Sequence, residues 1–67
     1  MNDKEKEILI DELMKLKGWF TWYDRQCNEY RRCLDLGIEY DEDIMALHQE
    51  AEMKAARINE IRTELQT

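Results

Sequence analysis

The sequence predicts an all-α fold: an antiparallel two-helix hairpin, coiled-coil-like, that dimerises into a four-helix bundle. Three observations carry that expectation. The 67 residues contain no proline, valine or serine and are rich in Lys, Glu, Leu, Ile and Met, a composition that favours helix over sheet. Apolar residues recur at heptad spacing over most of the chain. One glycine, Gly37, stands where a first helix has to end before a second begins. A chain this short makes a single domain, near the lower limit for burying a self-sufficient core.

The first helix is expected over about residues 3–36. Leu9, Leu13, Leu16, Phe20, Tyr23, Cys27, Tyr30 and Leu34 follow spacings of 4, 3, 4, 3, 4, 3 and 4, an unbroken seam for knobs-into-holes packing. Gly18 falls inside this stretch and costs about 1 kcal/mol relative to alanine. The register nevertheless runs from Leu16 to Phe20 without a slip. The helix is therefore expected to continue, with Gly18 on its outer face beside Trp19 and Trp22.

The turn is expected at about residues 37–40. Gly37 suits the left-handed position after a helix, and Ile38 suits the apolar residue that follows it in a Schellman ending. Asp41 suits an N-cap, with Glu42 and Asp43 in the first turn, where the helix dipole favours anions. The second helix then runs over about 41–66, with Ile44, His48, Ala51, Ala55, Ile58, Arg62 and Leu65 as its seam. Leu47 and Ile61 widen its apolar face, and Lys54 interrupts that second row. Folding at Gly37 sets Leu34 against Ile44, Cys27 against Ala51, Phe20 against Ile58 and Leu13 against Leu65. Between these fall Tyr30 with His48, Tyr23 with Ala55, and Leu16 with Arg62. Large residues meet small ones, as close interdigitation requires.

Two helices bury one face each, and this pair has apolar residues to spare. Ile8, Ile10, Met14, Trp19, Trp22, Leu47 and Ile61 lie off the central line and are expected to form a partner or oligomer interface. Met45 is off that line as well. The first helix is the longer, so Ile8, Leu9 and Ile10 are expected to project past the end of the second. At roughly 25 cal/mol per Å2, one helix–helix seam struggles against the ordering entropy of the whole chain. The surplus either closes a homodimer or docks onto another protein. Trp19 and Trp22 fit both, as the second layer of a homo-oligomer core or as binding hot spots for a different partner.

The formal charge of −6 disfavours a general nucleic-acid binder. Acid is gathered in Glu39, Asp41, Glu42, Asp43, Glu50 and Glu52, a stretch with no Lys or Arg, whereas Lys15, Lys17, Arg25, Arg31 and Arg32 make the preceding region basic. Such a layout either orients two protomers or simply solvates two helix faces. No apolar run approaches the ~20 residues that span a bilayer, and Met1 to Glu7 are too charged for a signal peptide. No membrane is expected as a partner, and the cytoplasm of a bacterial host cell is the expected location.

Chemistry-bearing residues are sparse. Without serine there is no serine nucleophile. His48, the one histidine, makes an i, i+4 pair with Glu52, but the Glu-x-x-His motif of di-iron bundles would need Glu where Met45 stands. Asp41-Glu42-Asp43 lacks the glycine and distal glutamate of an EF-hand loop. His48 is expected as a half-buried seam residue bonded to Tyr30 or water. Cys27 and Cys33 lie about six rises of ~1.5 Å apart on one helix, beyond disulfide reach, and are expected as free thiols. Cys27 falls in the seam, while Cys33 is incidental or at an interface. No catalytic set, metal site or cofactor is expected.

Two family resemblances enter at this point. Tyr23-Asp24 through Cys27, Gly37, Tyr40-Asp41, Ile44, Leu47-His48 and Arg57-Ile58-Asn59 resemble short helical-hairpin proteins encoded by phages and prophages of Firmicutes. The likeness covers about residues 20–61, and the chain lacks the proline often found before the Tyr-Asp pair in that group. It implies a viral origin, and together with the surplus apolar surface it leads to the expectation of a small viral accessory protein that self-associates and binds a protein partner. Such a protein acts as an assembly factor or as an inhibitor of a host protein such as a defence nuclease. Separately, His48-Gln49-Glu50-Ala51-Glu52 is similar in placement to the S-Q-E-L-D motif of sporulation regulatory phosphatases, hairpins that act on an aspartyl-phosphorylated response regulator. Gln49 and Glu50 match, whereas His48, Ala51 and Glu52 replace the serine, leucine and aspartate. That resemblance implies the alternative, an aspartyl-phosphate phosphatase.

Overall fold

A computed structural model of the chain describes residues 2–66. It contains two helices, α1 (Asp3–Leu36) and α2 (Ile44–Gln66), and no strand among the described residues. The two pack along one another as a helical hairpin.

Local chemistry sets the ends of α1. Asn2 has extended backbone, and its Oδ1 accepts the Glu5 N–H at 2.8 Å, so it caps the helix, with Asp3 and Glu5 favourably placed in the first turn. Gly18 is accommodated within the unbroken helix; a Cβ there would meet nothing within 4 Å. Gly37 takes φ 69°, ψ 26°, donates its N–H to the Leu34 carbonyl at 3.3 Å, and is followed by Ile38 N–H to the Cys33 carbonyl at 2.8 Å. That is the Schellman pair of bonds the glycine predicted.

The second helix departs from the sequence reading. It begins at Ile44, with Asp43 as its cap: Asp43 Oδ1 accepts the Ala46 N–H at 3.2 Å, and its carbonyl accepts from Leu47 at 3.1 Å. Asp41 is therefore not the N-cap, and Glu42 and Asp43 precede the first turn rather than occupy it. Tyr40 supplies the physical reason. Its ring packs edge-on against Tyr30 at 5.4 Å and its hydroxyl donates to Gln26 Oε1 at 2.7 Å, so residues 38–42 run back along α1 before the helix begins.

This fold-back slides α2 about one heptad towards the N-terminus of α1. Tyr23 meets His48, where Ala55 was expected; Trp19 meets Lys54, and Glu12 meets Arg57. At the far end Glu64 lies with Glu5, Ile8 and Leu9. The expectation that Ile8, Leu9 and Ile10 project past α2 is therefore overturned, because α2 reaches as far as Glu5. The overhang is at the turn instead, where Leu34 is 62% exposed despite its seam position.

The α2 seam is also rotated. Leu47, Ala51 and Ile61 are buried, Ile61 completely, while Ile44, Lys54, Ile58 and Leu65 are half-buried. His48, Ala55 and Arg62 are exposed. Leu47 and Ile61 thus belong to the hairpin core rather than to an outward interface. Desolvation explains the choice, since turning the other row inward would bury a guanidinium and an imidazole in place of two aliphatic side chains. Lys54 is the cost of this rotation, and it snorkels, reaching Glu50 at 3.4 Å and the Trp19 ring at 5.2 Å. On α1, Leu9, Leu13, Leu16, Phe20, Tyr23, Cys27 and Tyr30 are half-buried as the seam predicts, joined by Glu12, Trp19, Gln26 and Cys33.

The result is a rod of 52 × 15 × 15 Å with a radius of gyration of 15.6 Å, against about 11 Å for a compact chain of this length. Among the described residues no helix is long and apolar enough to cross a membrane.

These caps predict four outcomes in urea denaturation followed by helical circular dichroism at fixed protein concentration. Gly18→Ala stabilises by about 1 kcal/mol, and Gly37→Ala destabilises by about 1–2 kcal/mol, because it forces a side chain into a left-handed backbone. Asp43→Ala costs about 1 kcal/mol, whereas Asp41→Ala stays within about 0.5 kcal/mol.

Candidate interaction surface

The groups that join the helices form a ladder along one edge of α1. Glu12, Trp19, Gln26 and Cys33 recur every seven residues and therefore share a side of the helix. Each rung has its own partner. Arg57 donates from Nε and Nη2 to both Glu12 carboxylate oxygens, the second at 2.9 Å, and from Nη1 to Glu60 at 3.1 Å. Trp19 lies under the Lys54 ammonium, Gln26 accepts from Tyr40, and Cys33 shares a cleft with Ile38.

Beside the ladder is an aromatic cluster. Trp19 stacks on Tyr23 at 5.2 Å with the rings within 9° of parallel, and meets Phe20 edge-on at 5.1 Å. Trp22 leans on Trp19 at 6.0 Å. Tyr23 extends the cluster to α2, with its ring edge-on to His48 and its hydroxyl 2.5 Å from Nδ1. Burial, then the neighbouring Cys27, pushes the Tyr23 phenol above its ordinary range. His48 is accordingly exposed and bonded to Tyr23, not half-buried in the seam against Tyr30.

No protein-family model, curated protein or solved structure matches the chain.

The structure separates the residues expected at an interface. Ile8, Ile10, Met14 and Trp22 are exposed, at 37% for Trp22, while Trp19 is half-buried in the cluster and Leu47 and Ile61 are internal. Ile10 and Met14 share one flank of α1, and Ile8 and Trp22 fall on the other, so they form no single patch. The acidic residues Glu39, Asp41, Glu42, Asp43, Glu50 and Glu52 are all exposed, with Asp43 capping α2 and Glu50 paired with Lys54. Gln49 is exposed beside them. Cys27 and Cys33 are free and half-buried, and no three metal-ligating side chains converge among the described residues.

Around the turn Leu34, Leu36, Ile38 and Met45 are all exposed; Met45 is off the seam on sequence grounds, whereas sequence reasoning missed the exposure of Leu34, Leu36 and Ile38. Leu34 was hidden by its own regularity, because its heptad position promised a partner that the slide of α2 removes. Below it opens a shallow cleft of about 300 Å3 lined by Cys27, Tyr30, Arg31, Leu34, Ile44 and His48. Met53, on the outer face of α2, is the most exposed large apolar residue at 75%.

Two pH limits follow from the ladder and the tyrosines. Hydrogen bonding to Arg57 holds the Glu12 carboxyl below its usual range, so its contribution is present above pH 4.5 and lost as pH falls through the lower folded value. Arg57→Gln therefore flattens the acid limb of the stability–pH profile. Burial raises the phenols of Tyr23 and Tyr40, so their contribution is intact below the ordinary value of 10.0 and is lost above it. Tyr40→Phe therefore flattens the alkaline limb. Urea midpoints measured across the pH range for both variants check these signs.

Proposed function

We propose that this chain is a non-enzymatic protein-binding module whose first partner is a second copy of itself. Accessible area carries the reading. The chain exposes 5487 Å2, whereas a compact monomer of 8.2 kDa exposes about 4,500 Å2. The surplus of roughly 1,000 Å2 is the size of the surface that one partner contributes to a standard interface, about 800 Å2. Large apolar side chains are among the exposed residues, from Ile8 and Met14 to Leu34 and Ile38.

A role in binding rather than catalysis is supported by how the polar groups are spent. Glu12, Lys54, Tyr23, His48, Gln26 and Tyr40 tie one helix or the loop to the other helix. The resemblance of residues 20–61 to phage-encoded hairpins supports a viral accessory role for such a module, as an assembly factor or an inhibitor. The exposed acids at 39–43 support a further partner with a basic surface.

Sedimentation equilibrium tests the reading. Self-association gives a mass near twice 8.2 kDa, together with a melting temperature that rises with protein concentration. A mass of one chain with concentration-independent melting overturns it.

A further inference from the structure

The hairpin leaves one stretch of its own packing seam without a helix against it. Cys27, Tyr30 and Leu34 continue the line along which α1 packs, yet α2 starts at Ile44, beside the lower end of this stretch. The returning loop covers one side only, through Tyr40 against Tyr30 and Gln26. On the other side the cleft bounded by Cys27, Tyr30, Arg31, Leu34, Ile44 and His48 stays open. Leu34 stands at its rim, 62% exposed.

We infer that this overhang is the site of self-association: the last third of α1 packs antiparallel against the same segment of a second copy across a twofold axis. The inference rests on the self-association proposed above and places it. A surface whose apolar residues lie at 27, 30 and 34 presents heptad spacing, and the complement of such a surface is another helix with the same spacing. The chain carries that helix in the segment itself. A twofold interface is self-complementary, so each Leu34 enters the opposite copy's cleft while offering its own.

Charge favours the same occupant. Asp24, Asn28, Arg31 and Asp35 form one row on α1, at spacings of 4, 3 and 4, and Arg31 is the row's one basic residue and lines the cleft. An antiparallel crossing just beyond Arg31 sets each Arg31 opposite the other copy's Asp35, making two equivalent ion pairs at the rim. Apolar exposure agrees as well: Leu34, the large aliphatic side chain of α1 at this cleft, is 62% exposed in the single hairpin.

The experiment compares the parent chain with Leu34→Glu and Met53→Glu by sedimentation equilibrium, with helical circular dichroism on each. Both positions are exposed in the single hairpin, so neither change disturbs its core. The expected result is a parent dimer, association weakened about thirtyfold or more in Leu34→Glu, and parent-like association in Met53→Glu. Leu34→Ala, which adds no charge, weakens association in the same direction. A parent dimer that survives Leu34→Glu overturns the site while leaving self-association standing. Equal loss in both glutamate variants also overturns the site, because the effect then follows charge and not place. A monomeric parent overturns the inference and the reading on which it rests.

Discussion

The position of α2 along α1 is set by the seven residues between them, and nearly every other feature depends on that setting. Gly37 closes α1 with two backbone bonds that only a left-handed residue permits. Tyr40 then seats on Tyr30 and Gln26, which returns the chain along the helix it has just left. Asp43 starts the next helix at the point where the returning strand of chain ends. A tighter turn would have begun α2 near Asp41 and brought Leu34 against Ile44. The longer return moves α2 about one heptad down α1 and leaves the last turns of α1 without a facing helix, covered on one side by the loop.

A slide of one heptad conserves a coiled-coil seam, so apolar spacing alone cannot select among such positions. Specific pairs do so here. Glu12 with Arg57, Trp19 with Lys54, and Tyr23 with His48 each join a particular residue of α1 to a particular residue of α2. Exposed ion pairs contribute little to stability in general, and a geometric role suits these partly exposed contacts better than an energetic one. They cost little at the correct setting and are all lost together at a setting seven residues away. Lys54 shows the compromise most clearly: a charged residue in the inward row is tolerated because its ammonium escapes to Glu50 and to the face of Trp19.

The narrowness of this core underlies the proposed role in binding. Leu47, Ala51 and Ile61 are the buried apolar residues among those described, which is little for a chain that must offset the ordering entropy of two long helices. A two-helix rod cannot do better, because each helix has only one neighbour to bury against. Apolar side chains that would fill a core in a thicker protein are left on its surface. Burial against a further helix is the physical remedy, and the self-association proposed above would supply one from a second copy.

Much of this was legible in the residues. The absence of proline, the heptad run from Leu9 to Tyr30, the Gly37 ending and the continuity of α1 through Gly18 are local properties, and local propensity and capping decide them. Asp41 and Asp43 are equivalent as caps on sequence grounds, so the start of α2 was not legible. The rows through His48 and through Leu47 were both plausible seams, and the lower cost of burying Leu47 and Ile61 instead of His48 and Arg62 was decisive only once α1 stood opposite. The exposed Leu34 was the least legible of all, because its sequence environment is that of a core residue. Sequence by itself determined that the chain makes two amphipathic helices joined near Gly37. Tertiary structure decided which faces meet and how far along, because register depends on long-range contacts that identical heptad spacing cannot distinguish.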